Sequence, residues 1–364
     1  MSLFGSTPAS VSSTTSQVLG TAADLQSDRD LTSPPEDSVS SLSFSPQAEI
    51  LAVGSWDKKV RIYEIAPNGD SQGKALYEQP GAVLSVHWSS DGTKVASGGT
   101  DKAGWLYDVQ SGQSTQIAQH DAAIRAVRFV DAGNTGAQMV ATGSWDKTLK
   151  YWDLRSPTAV ATVQLPERVY SMDVQQKLLV IGTAERHICI VDLNNPGTIF
   201  RSLQSPLKFQ TRVVTCFPTG NGYAIGSIEG RCAMQYVDER EQQKSGFSFK
   251  CHRDAPGSGP RSESNVYSVN AINFHPQYGT FSTAGSDGSY HFWDKDSKHR
   301  LKGYPSVGAT ISCSTFNRSG SIFAYAISYD WSKGYQFNRA DYPISVKLHA
   351  TKDEEMKPRP FKKR

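Results

Sequence analysis

His120, Thr142, Asp146 and Trp152 fall close together in the chain. An imidazole, a hydroxyl and a carboxylate are the ingredients of nucleophilic acyl transfer, where the ring takes the hydroxyl proton and the carboxylate orients the ring. The context does not support that chemistry. Thr142 lacks the glycine-flanked elbow that exposes a nucleophile, and related segments of the chain keep the acid while losing the histidine. Cys251-His252 offers two metal-ligand types, but no second pair stands at ligand spacing, and two ligands do not close a zinc shell. Gly220-Asn221-Gly222 reads as a hairpin turn rather than a phosphate loop. The residues therefore imply no catalytic site, no metal and no cofactor, and the chain reads as a non-enzymatic protein.

Two basic clusters remain. Lys250, His252 and Arg253 follow the alternating stretch Phe247-Ser248-Phe249 and precede a Gly/Pro/Ser-rich insertion over 254–265. Lys295, Lys298, Arg300 and Lys302 follow Trp293-Asp294. Charge runs usually mean only a solvated surface. The net charge of +3 is too small to announce a nucleic-acid binder, so any basic site must be local. The five cysteines are widely spaced and free of CxxC pairs, which predicts buried, reduced thiols and an intracellular setting. Neither a signal peptide nor an apolar run of membrane-spanning length appears, and no membrane insertion is expected.

The elements that position these residues come from a repeat. A glycine, a small residue, a variable position and an acid precede alternating apolar residues and an aromatic, as in Gly54-Ser55-Trp56-Asp57 and Gly143-Ser144-Trp145-Asp146. Further copies begin at Gly98, Gly182, Gly226 and Gly285, and the most degenerate is Ser328-Tyr329-Asp330-Trp331. Asp57, Asp101 and Asp146 are 44 and 45 residues apart, the length of one four-stranded blade. Seven copies predict an all-β, seven-bladed propeller in a single closed domain over 25–350.

A propeller left open would expose a long edge strand. The last copy supplies three strands, near Ile311 to Phe316, Ile322 to Ile327 and Ile344 to Leu348, so residues near Leu25 to Thr32 are expected to supply the fourth and clasp the ring. The Ser/Thr-rich segment 1–24 should be disordered, because it buries too little to offset its ordering entropy. Residues 351–364, with six basic side chains and two prolines, read as a solvated basic tail.

The phrases Phe247 to Arg253, Val266-Tyr267-Ser268-Val269-Asn270 and Phe274-His275-Pro276 resemble two related groups of WD-repeat propellers, the nuclear-pore mRNA export factors of the Rae/Gle type and the Bub-type checkpoint proteins. Tyr329-Asp330-Trp331-Ser332-Lys333-Gly334 resembles the export factors and not the checkpoint proteins, and the likeness spans essentially the whole chain.

The resemblance implies that His120, Thr142, Asp146 and Trp152 form a buried structural tetrad. It further implies an adaptor at the nuclear pore and nuclear envelope, with a cytoplasmic fraction, that holds the GLEBS segment of an FG-repeat nucleoporin on its top face. Lys250, His252, Arg253, Tyr329 and Trp331 are the expected peptide-binding residues. Arg253 is expected to dominate, since its planar fork suits a carboxylate. A role in poly(A) mRNA export and mitosis follows, with mRNA or other single-stranded RNA expected on Lys295, Lys298, Arg300 and Lys302. The runner-up is a checkpoint propeller with kinase partners, followed by a ubiquitin-ligase substrate receptor.

Overall fold

The computed structural model describes residues 19–133, 138–254 and 263–359, and these form seven four-stranded antiparallel sheets arranged as a ring of blades. Blade one runs Val39–Phe44, Ile50–Ser55, Lys59–Ile65 and Ser71–Glu78 from the channel outward. The second strands carry unbroken apolar runs because both of their faces pack on neighbouring blades. In Leu178–Thr183 all six residues are buried, whereas the outer strand Ser71–Glu78 alternates with exposed positions. Between blades three and four, for example, Leu149, Tyr151 and Val163 meet Met172, Leu179 and Ile181 in one core.

Closure uses the amino-terminal segment, as the strand count requires. Arg29–Asp30 pairs antiparallel with Ser345–Ala350, with Arg29 opposite Leu348 and Asp30 opposite Lys347. Leu31 extends the contact by donating its N–H to Val346 at 2.8 Å and burying its side chain with Val39 and Val346. The pairing is shorter than Leu25 to Thr32, because Ala22–Leu25 forms one helical turn instead. Leu19 and Gly20 lie along Gly303 of blade six, so order begins before residue 25. Residues 1–18, which make up most of the segment expected to be disordered, lie outside the described residues.

The expectation of a solvated tail from residue 351 is corrected by the helix Asp353–Met356. Its Met356 and Glu355 side chains are buried, the Met356 carbonyl accepts from Thr280 at 2.8 Å, and the Arg359 N–H donates to Asp294 at 3.3 Å. The basic composition hides one apolar and one acidic side chain with places in the fold. Residues 360–364 lie outside the described residues.

These two ends meet at a buried charge relay. His349 Nδ1 lies 2.7 Å from Asp28 and its Nε2 lies 3.2 Å from Glu355, while the Tyr325 and Tyr304 hydroxyls donate to Asp28 and Glu355. Burial alone would push the His349 ring down, but a carboxylate on each nitrogen holds it up at about 9.

Every inner strand slips register with its neighbour near the top, leaving one bulged residue: Ser40, Leu84, Arg125, Tyr170, Arg212, Asn270 and Ser312 in blade order. A bulge sharpens the local twist and re-aims its side chain.

All five cysteines are free thiols, and Cys313 is half-buried while the other four are buried. No helix among the described residues is long and apolar enough to cross a membrane.

Candidate functional site

The top face is built from the turns between second and third strands and from the connections joining one blade to the next. Among the described residues, five of these turns are held by their acid. Asp57 and Asp146 accept the N–H two residues on, at 3.0 and 2.9 Å, and their own N–H groups donate to Ser55 and Ser144. The residue after the acid then takes a left-handed conformation, with φ of 69° at Lys58, 67° at Lys102, 66° at Lys147 and 62° at Gly230. Gly230 has a second reason to be glycine, since a Cβ there would lie 2.5 Å from the Cys251 carbonyl oxygen.

Two blades add a full tetrad. In blade three, His120 Nδ1 lies 2.8 Å from Asp146, His120 Nε2 lies 2.7 Å from the Thr142 hydroxyl, and Trp152 Nε1 donates to that hydroxyl at 2.7 Å. The geometry satisfies buried polar groups and leaves Thr142 wholly inside the blade, where no substrate reaches it.

Blade six repeats the arrangement. His252 Nδ1 faces both oxygens of Asp287 at 2.9 and 3.0 Å, His252 Nε2 meets Thr283 at 2.9 Å, and Trp293 Nε1 donates to Thr283 at 2.9 Å. His252 is 2% exposed. It is therefore a structural histidine, which corrects its expected place on the peptide-binding surface. The second tetrad was hidden by spacing. Thr, Asp and Trp keep their separations, but the insertion over 254–265 moves the histidine nine positions further from its threonine than in blade three, 31 against 22.

Tyr329 needs a similar correction. It is 5% exposed, donates to the Gly334 carbonyl at 2.9 Å and accepts from the Lys333 N–H at 3.0 Å, so it braces its own loop. Trp331 does reach the surface. It occupies the turn position where other blades place Lys, Arg or Gly, with φ of 59°, an uncommon conformation for a bulky side chain. Stacking holds it there, with its ring 4.0 Å from that of Trp56 at 23° between planes, across the junction of blades seven and one.

Further apolar residues that sequence reasoning missed are exposed on the same face. Tyr335 is 76% exposed and Phe337 is 52% exposed on the long turn of blade seven, and Trp145 and Ile228 are exposed on the turns of blades three and five. The available signal was position. Trp56, Trp145 and Ile228 all stand immediately before the turn acid, where Thr100 and Ser286 are small and polar.

Lys250 is exposed, and among the described residues it forms no ion pair. Arg253 is half-buried, pairs through its backbone with Val266, and donates from its guanidinium to the Glu229 and Gly230 carbonyls at 2.7 and 3.4 Å. Among the described residues its guanidinium meets only these two neutral acceptors, and the anchoring removes much of the entropy cost of binding a carboxylate.

The second basic cluster divides. Lys295 and Lys298 occupy the opposite end of blade six, where their ammonium groups lie 5.5 and 4.9 Å from the Phe217 and Phe247 ring centres, and Lys295 also meets Asp296. Lys302 lies over Tyr304 at 5.8 Å. Arg300 instead lines a cavity of about 560 Å³ together with Lys250, Arg253 and Trp293, so the two basic clusters touch along the flank of blades five and six. Trp293 is committed to its tetrad and to Phe249, 4.7 Å away.

His252, Asp287 and His291 bring ligand-type atoms within 4.8 Å of one another. Two of them, His252 and Asp287, are engaged with each other in the tetrad.

The WD domain, G-beta repeat family matches residues 28–64, 73–108, 112–153 and 258–294. Over its whole length the chain is 60% identical to the Poly(A)+ RNA export protein of Schizosaccharomyces pombe, which is likewise covered in full. It is 58% identical to mRNA export factor GLE2 of Chaetomium thermophilum, with 100% of this chain and 99% of the relative aligned. The chain belongs to the mRNA export factor family of WD-repeat proteins. Protein Rae1 of Drosophila melanogaster is 45% identical over 91% of the chain and 96% of its own length. Both the fold and these relatives point to a non-enzymatic scaffold.

Proposed function

We propose that this propeller is an adaptor in poly(A) mRNA export, held at the nuclear pore by the GLEBS segment of an FG-repeat nucleoporin laid across its top face. The observation that carries this reading is that one face carries both the stacked Trp56 and Trp331, with Tyr335 and Phe337 exposed on the same turn as Trp331, and the basic side chains of Lys250 and Arg253. A peptide with apolar anchors and flanking carboxylates matches both features, and buried aromatics beside arginine are the residue types that dominate binding energy. The export names of its relatives supply the process.

Isothermal titration with a GLEBS peptide tests the assignment. Arg253→Ala should weaken binding at least about tenfold and more than Lys250→Ala, because only the arginine can bind a carboxylate with two donors. Unchanged affinity in Arg253→Ala rejects it.

RNA is assigned to Lys295, Lys298, Arg300 and Lys302, supported by the four basic side chains that one short stretch of blade six carries. Such contacts neutralise phosphates and release counterions. Replacing all four with Gln should flatten the dependence of RNA affinity on salt concentration in a filter-binding assay, and an unaltered slope rejects the assignment.

A further inference from the structure

The central channel holds a cavity of about 610 Å³ whose wall includes Ser40, His87, Arg125, Arg128 and Asn270. Its charges do not balance one another. Arg128 Nε lies 3.2 Å from Asp173, and Arg212 donates to the Asp330 carbonyl at 2.8 Å with the Asp330 carboxylate close by. His87 contributes no charge at neutral pH, since burial and then Arg128 push it down to about 3, and its Nδ1 accepts the Phe129 N–H.

Arg125 is left over. It is the bulged residue of blade three, set near the upper end of the channel, and its NH1 group makes a single bond to the Leu84 carbonyl at 3.3 Å. Among the described residues it has no carboxylate within ion-pair distance. Burial, followed by the like charges of Arg212 and Arg128, weakens its hold on its proton, down to about 10. A guanidinium carries five N–H donors in a fixed fork, so most of this one is unspent and turned toward open space.

We propose that the upper part of the channel is a binding site for a small, multiply charged phosphate compound, with the unpaired Arg125 as its principal ligand. The unspent fork fits two phosphate oxygens, whereas the Ser40 hydroxyl and the Asn270 amide are already donating to the Gly54 and Val83 carbonyls and to Ile311 and Asp330, so Arg125 carries the recognition. The channel leaves room for a polyatomic anion. A metal ion is disfavoured by the same uncompensated arginine. This site is separate from the top-face residues and does not depend on the peptide assignment.

Pyrophosphate is the probe, titrated calorimetrically into the full chain without any partner peptide. Wild type should bind at one site and melt at a higher temperature in its presence. Arg125→Gln should weaken binding at least about tenfold and abolish the thermal shift, whereas Arg318→Gln, at the other end of the channel, should leave both unchanged. Arg125→Gln alone should melt no lower than wild type without pyrophosphate, because it removes an unpaired charge, so failure to fold is separable from failure to bind. Absence of saturable binding in wild type overturns the proposal. So does equal affinity in Arg125→Gln, or binding of citrate but not pyrophosphate.

Discussion

Blades three and six contain the same four side chains at nearly the same distances, yet their histidines sit on opposite sides of ordinary behaviour. At His120 burial outweighs the attraction of Asp146, and the ring is held below its usual value. At His252 burial again pulls down, but Asp287, bonded through both oxygens, and the neighbouring Cys251 together outweigh it and hold the ring above its usual value. The surroundings explain the difference. The Asp146 carboxylate also accepts from the Asp121 N–H, and Lys150 adds a like charge near His120. In blade six the position of Lys150 is taken by His291, which burial holds neutral, down to about 3. A repeated hydrogen-bond motif fixes geometry, and its next neighbours fix protonation.

The largest expected effect breaks this comparison most directly. Asp287→Asn removes the counter-charge of a ring that favours its proton, at a cost of about 3–5 kcal/mol. Asp146→Asn removes one hydrogen-bond acceptor from a neutral ring and should cost about 1–3 kcal/mol. Equal losses in chemical denaturation would show that the two tetrads are energetically alike.

His349 extends the series, with carboxylates on both nitrogens. A folded value of about 9 against an unfolded value near 6.5 means that its stabilisation is complete below the unfolded value and disappears as pH rises through the folded one. Stability should fall by roughly 3 kcal/mol between those limits, and His349→Gln should remove that slope. His252 shares this sign, while His120, with its depressed value, instead destabilises the fold as pH drops below its unfolded value. The smallest effect sharpens the comparison. Lys150→Ala should move the His120 titration upward in NMR without moving that of His252, and a shift of both rings would remove Lys150 as the cause.

Much of the architecture was legible because the 44- and 45-residue spacing of the turn acids is a direct count of strands. The clasp was legible for the same reason, since three strands in the last copy left one to be supplied. Individual side chains were harder. His252 looked like a surface residue because a basic context and an inserted loop hid its threonine, aspartate and tryptophan partners, and only pairing across the sheet restores them. Tyr329 and Trp331 are two positions apart, and local sequence does not tell which one turns inward. The channel arginine was illegible, because a bulge shifts the alternation by one residue and turns to the channel a side chain that a regular strand would place between blades.

The clasp also sets an order of events during synthesis. Asp30 cannot meet Lys347 until a residue 317 positions later has left the ribosome. At about 5–20 residues per second, the first blade waits roughly 15–60 s beside a missing neighbour. Through that interval the nascent protein is an open arc with an unpaired sheet face, and its survival depends on the speed of translation and on whatever shields that face until the last blade arrives.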